Sequence, residues 1–103
     1  MKYVVVWSAF SQEKLDEIFE YHKFKVSYKV AKQIITKLIK GANILETNPF
    51  AGPIELLLAN RKEKYYYLVC GNYKVIYSVD STNKQVKIAD VFDTRQNPTK
   101  MGK

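Results

Sequence analysis

The chain has 103 residues, 47% of them hydrophobic, and a formal charge of +7 from seventeen Lys and Arg against ten Asp and Glu. This length predicts a single domain, residues 1–103, and the apolar content is too high for a disordered chain. Its charge points to an anionic partner (nucleic acid, an acidic protein or a phospholipid surface) or to a basic domain that is merely soluble, while the single cysteine, Cys70, excludes a disulfide framework and a multi-cysteine metal site.

Residues 3–7, YVVVW, are aromatic and β-branched and predict a first strand covered at least partly on both faces. This run is far too short for a signal-peptide core or a membrane span, so a cytoplasmic location is expected. Ser8, with Ser11 as a rival, offers an N-cap. Leu15, Ile18, Phe19 and His22 follow at helical spacing and predict a helix over residues 9–23. Glu13, Asp16, Glu17 and Glu20 lie on its outer face.

Ser27 can cap a second helix. Its wide apolar stripe runs from Val30 and Ala31 through Ile34, Ile35, Leu38, Ile39 and Ala42 to Leu45, with Lys29, Lys32, Lys37 and Lys40 off the stripe. Asn48-Pro49 should end it, because the residue before proline is pushed out of the helical region. Two adjacent antiparallel helices are implied, one acidic outside and one basic.

Residues 50–60 read as irregular, with Gly52-Pro53 as a turn signal. Three strand-like runs follow, over residues 65–70, 73–79 and 85–92. Gly71-Asn72 between the first two is a tight hairpin signal that calls for at least one positive φ. Tyr73, Val75, Tyr77 and Val79 alternate with Lys74, Ile76 and Ser78. The expected fold is α+β, in the order β-α-α-β-β-β. An antiparallel sheet would carry a two-helix hairpin packed on one face, and the first strand must pair with a member of the meander. Cys70 reads as a packed thiol in a reducing compartment, and His22 as a packing residue at the edge of its helix stripe.

Three stretches carry a family likeness. Leu45 is followed by NPFAG; YLVCGNYKVIYSVD spans residues 67–80; VKIADVFDTRQNP spans residues 86–98. Together they resemble the RelE/ParE superfamily of bacterial toxins from type II toxin–antitoxin systems, over nearly the whole chain. The resemblance implies a toxin neutralised by a cognate acidic antitoxin that wraps it, with no cofactor and no metal. It implies a ribosome-associated messenger-RNA endonuclease that stops translation. Alternatively, such a chain inhibits DNA gyrase by binding, or is an inactive module that only binds its antitoxin. The last strand of the family commonly ends in an arginine, matched here by Arg95, and Lys74 stands where the family usually has the arginine of its central hairpin.

Cutting RNA through its own 2′-OH requires a proton acceptor, a group that stabilises charge on the phosphate and a proton donor. Arg95 is the best phosphate clamp, always charged and fork-shaped, in a chain with only two arginines among seventeen basic residues. The plainer reading is a salt bridge to Asp93 or Asp90, or to a terminal carboxylate. Asp93 can orient Arg95, act as a weak base, or cap a turn with Asn97. Lys74 points to an open sheet face if Tyr73, Val75 and Tyr77 pack under the helices, where it can neutralise phosphate as a point charge, and is otherwise an ordinary solvated lysine. Arg61, Lys62 and Lys64 beside Tyr65 suit RNA backbone and base stacking, or are simply solvated. Tyr67, like Tyr65, serves as acid or base only if cations lower its pKa from about 10.

Overall fold

The computed structural model describes residues 2–96, so Asn97 and Pro98 lie outside the described residues. Strand β1 (Val4–Trp7) leads into helices α1 (Ala9–Lys25) and α2 (Tyr28–Asn43), then strands β2 (Tyr66–Cys70), β3 (Tyr73–Asp80) and β4 (Gln85–Asp93). The order is the expected β-α-α-β-β-β, and the fold is α+β.

Both helices start on a serine cap. Ser8 Oγ accepts from the Ser11 N–H, so Ser8 wins over its rival, and Ser27 Oγ accepts from the Val30 N–H. Each satisfies one donor left orphaned in a first helical turn. Helix α2 ends before the proline signal. After Asn43 the chain tightens into a 3-10 turn, Ile44–Glu46, which turns Leu45 fully into the core.

The sheet order is β1-β4-β3-β2. The meander β2-β3-β4 is antiparallel, whereas β1 runs parallel to β4, from Val4 opposite Gln85 to Trp7 opposite Ile88. The sheet is therefore mixed. A parallel pair needs a long crossover, which the helical hairpin and the meander supply. Between β2 and β3, Gly71 takes φ 61° and Asn72 does not turn positive, the pattern of a two-residue turn with glycine at its first central position.

The helices bury Tyr73, Val75, Tyr77, Val86, Ile88 and Val91 on one face of the sheet. Simple alternation would put Ile88 and Val91 on opposite faces. A register shift resolves this: Tyr77 faces Ile88 while Ile76 faces Asp90, and Ala89 is the extra residue of a β-bulge. Tyr3, just before β1, and Val5 and Trp7 on it pack on the core, but Val4 and Val6 are exposed, so the expected cover on both faces is absent there.

The second face of the sheet is not open along β2 and β3. Residues 53–65 cross it as a strap, pinned by Glu55 N–H to Tyr65 O and Tyr67 N–H to Pro53 O. Leu58 packs on Ile76 and Phe92, flanked by Tyr65 and Tyr67. Gly52 begins this crossing in close contact: a Cβ there would overlap the Tyr67 carbonyl, and its N–H donates to the buried Tyr77 hydroxyl at 2.9 Å.

Candidate functional site

Arg95 stands just beyond β4, on a turn held by the Thr94 N–H and hydroxyl, both donating to Asn72 O at 2.9 Å. Its guanidinium grips the Asp93 carboxylate with two bonds, Nε to Oδ1 at 3.0 Å and Nη2 to Oδ2 at 2.9 Å. The Arg95 N–H also donates to Asp93 Oδ1. This arrangement holds the Asp93 carboxyl below its usual pKa, chiefly through the Arg95 side-chain bonds, and favours the charged guanidinium in return. Asp93 is thus an orienting group for Arg95 and a poor proton acceptor.

Tyr73 is the cross-strand partner of Asp93, so the pair lies on the helical face of the sheet. A cleft of about 390 Å³ opens there between α1 and the end of β4. Lys14, Glu17 and Tyr21 form its helical wall, and Tyr73, Asp93 and Arg95 its floor. The Tyr73 hydroxyl lies 2.8 Å from His22 Nε2. Burial, then the Asp93 charge, raise the Tyr73 hydroxyl above its ordinary pKa. His22 therefore packs as expected and also holds a tyrosine beside the Arg95–Asp93 pair.

Lys74 is one residue away in sequence and on the other side of the sheet. Tyr73, Val75 and Tyr77 do pack under the helices, but Lys74 does not meet an open face, because the strap covers it. Lys74 Nζ lies 3.0 and 3.4 Å from the two carboxylate oxygens of Glu55, and 4.2 Å from the centre of the Tyr67 ring. Glu55 is only 2% exposed. The pair is buried on one side and consumes the charge that was expected for phosphate. Tyr67 is half-buried against the same strap.

Arg61, Lys62 and Lys64 are exposed along the strap. Arg61 and Tyr65 line a smaller cleft of about 240 Å³ with Phe10, Leu58, Ile76 and Ala89. Burial and Glu63 raise the Tyr65 hydroxyl pKa rather than lowering it, so Tyr65 suits stacking and not proton abstraction. Glu63 also accepts from the Ser78 hydroxyl at 2.8 Å. Asp90, the rival partner of Arg95, is fully buried and takes Lys14 at 3.0 Å instead.

The sheet therefore divides the expected residues. Arg95 and Asp93 gather with Tyr73 and His22 on the helical side; Lys74, Tyr67, Tyr65 and Arg61 gather with Glu55 and Glu63 on the strap side. Glu55 was missed in the sequence. Its signal was an acid inside the apolar run Ile54–Leu58, where only a buried cation can hold it. Among the described residues, no group of three His, Cys, Asp or Glu side chains is placed to hold a metal ion, and no helix is long and apolar enough to cross a membrane.

No curated protein matches the chain significantly. Solved structures do. The fold is similar to a chain of the chromosomal ParDE toxin–antitoxin system from P. aeruginosa, with a TM-score of 0.73 at 14% identity over 89% of this chain and 96% of that one. An archaeal RelE–RelB complex from Pyrococcus horikoshii OT3 contains a chain similar at TM-score 0.62 and 20% identity, covering 94% of this chain and 100% of that one. The toxin–antitoxin complex RelBE2 from Mycobacterium tuberculosis gives 0.58 and 16%, covering 90% and 99%. At these identities the likeness is one of fold. The sequence model for the ParE toxin of type II toxin-antitoxin system, parDE, matches residues 5–98, nearly the whole chain, so this protein belongs to the ParE toxin family of type II toxin–antitoxin systems.

Proposed function

We propose that this toxin arrests growth by binding its target, in the manner of a gyrase inhibitor, rather than by cutting messenger RNA. One observation carries this reading. The two cations best suited to a scissile phosphate, Arg95 and Lys74, are each paired with a carboxylate and lie on opposite faces of the sheet. A phosphate between them would need both pairs broken and the sheet crossed, whereas a binding surface needs only the exposed side of Arg95 and the cleft beside it. The exposed Arg61, Lys62 and Lys64 beside Tyr65 favour a second reading, ribosome-associated endonuclease, since basic and aromatic groups together suit RNA.

In either case the neutralising partner is an acidic antitoxin. A chain of charge +7 attracts such a segment, and the structurally similar chains come from toxin–antitoxin systems. The test is induction in growing cells with labelled precursors of DNA and protein, together with mapping of new RNA 5′ ends. DNA synthesis should stop first and no new ends should appear. Translation stopping first, with cuts in ribosome-bound transcripts, would replace this reading with the nuclease.

A further inference from the structure

The outward face of the helical hairpin carries three parallel rows. Exposed Glu13, Asp16 and Glu20 lie along α1, and exposed Lys29, Lys32 and Lys40 along α2. Between them Leu15, Phe19, Ile35 and Ile39 line an apolar groove of about 300 Å³, with Ile39 38% exposed. Among the described ion pairs none joins an acid of α1 to a lysine of α2; only Lys23 and Glu20, both on α1, meet at 3.9 Å. We infer that this face is the contact surface of a homodimer, in which a second copy of this chain turns its acidic row onto the basic row and its basic row onto the acidic one.

The charge pattern selects both the occupant and the symmetry. An acidic peptide would satisfy α2 but be repelled by α1, whereas the same face of a second copy satisfies both. A two-fold axis along the groove, parallel to the helices, sets α1 of one protomer on α2 of its partner. An axis across the helices would instead set acid on acid. The register agrees for two of the pairs, whereas Lys29 falls at the height of the exposed Lys23 of the second copy. Glu13 stands thirteen residues before Val26 and Lys40 thirteen after Ser27, while Glu20 and Lys32 stand six and five residues from the same turn. At roughly 1.5 Å of rise per residue, these pairs meet at matching heights across the axis. The packing is that of an antiparallel four-helix layer with an apolar seam and charged margins. Both α1–α2 turns then lie at one end, where Phe24 is 84% and Val26 63% exposed.

The dimer stands independently of what the toxin targets. Sedimentation of the purified full-length chain tests it, at rising protein concentration and at low and high salt. The chain should dimerise, and more weakly in salt because the margins are screened. K32E/K40E alone and E13K/E20K alone should each weaken self-association by roughly tenfold or more, since four attractions become repulsions. Mixed together, the two variants should form a heterodimer, and the four-fold swap in one chain should dimerise again. If a reversal variant fails to fold by circular dichroism, K32Q/K40Q with the salt series takes its place. A wild-type chain that stays monomeric throughout, variants that still self-associate, or a mixture that does not pair would each overturn the inference.

Discussion

Lys74 and Arg95 look alike on paper, each a cation at the end of a strand-like motif, and the structure separates their roles. The carboxylate facing Lys74 is buried and that facing Arg95 is not, so truncation has different consequences. Lys74→Ala strands Glu55 in a dry setting and should cost about 2–4 kcal/mol of stability, toward the lower end for a broken buried pair because the Lys74 side chain stays 22% exposed. Urea denaturation reads this directly. Lys74→Met with Glu55→Leu should recover most of the loss, because an apolar pair removes the charge that was left unpaired. The Arg95 side chain is 56% exposed, and the Asp93 that it holds can turn to water. Arg95→Ala should lower the melting temperature only slightly, since the partly exposed Asp93 carboxylate loses its ion partner but still reaches water, while weakening target binding roughly tenfold or more, as loss of an interfacial arginine does. Arrest of growth by induced Arg95→Ala at wild-type potency would remove Arg95 from the binding surface.

At the level of elements, two glycines hold the hairpin and strap in place for different reasons. Gly52 is needed for space, since a Cβ would run into the Tyr67 carbonyl where the strap enters. Gly71 is needed for its dihedral, φ 61°, with nothing within 4 Å of a Cβ. Gly52→Ala should therefore cost about 2–3 kcal/mol, as overpacking does, and Gly71→Ala about 1 kcal/mol. Gly71→Asn should cost less than Gly71→Ala, because Asn tolerates the left-handed region, whereas Gly52→Asn should be worse than Gly52→Ala. Equal losses at both sites would mean that one of these causes is wrong. Tyr77→Phe removes the acceptor for the buried Gly52 N–H and should cost about 1–2 kcal/mol. Thermal melts of the five variants, compared at one pH, rank these effects.

For the whole molecule, stability should fall at both ends of the pH scale through identified groups. Asp93 and Asp80 titrate below their ordinary values, the first through Arg95 and the second through Asn83. Their contribution is complete above the unfolded carboxyl pKa of about 4 and disappears as pH drops through the lower folded values. Tyr73, Tyr77 and Tyr65 are shifted upward, each mainly by burial. Their contribution is complete below about pH 10 and is lost as pH rises through the higher folded values. Melting temperature against pH should show a plateau between the two limbs. Asp93→Asn should shrink the acid limb and also trim the alkaline one slightly, because the Asp93 charge helps hold the Tyr73 hydroxyl above its ordinary value; an unchanged acid limb would show that Asp93 does not contribute to it.

Much of this protein was legible before any coordinates. Caps at Ser8 and Ser27, two helices, the Gly71 turn and the β-α-α-β-β-β order all follow from short-range rules, because spacing, capping and turn chemistry act within a few residues. The alternation of Tyr73, Val75 and Tyr77 against Lys74 and Ile76 likewise assigned faces correctly, since strand geometry permits nothing else. What lay across the faces was a tertiary matter. No local rule says that residues 53–65 return over the sheet, that Glu55 becomes the partner of Lys74, or that β1 lies parallel to β4. A one-residue bulge at Ala89 decided which side of β4 Ile88 and Val91 occupy. Arg95 and Asp93 illustrate the boundary: their pairing was readable from a separation of two residues, but their isolation from Lys74 was not. Sequence order brings those residues into neighbouring strands, and only the thickness of the folded sheet keeps them apart.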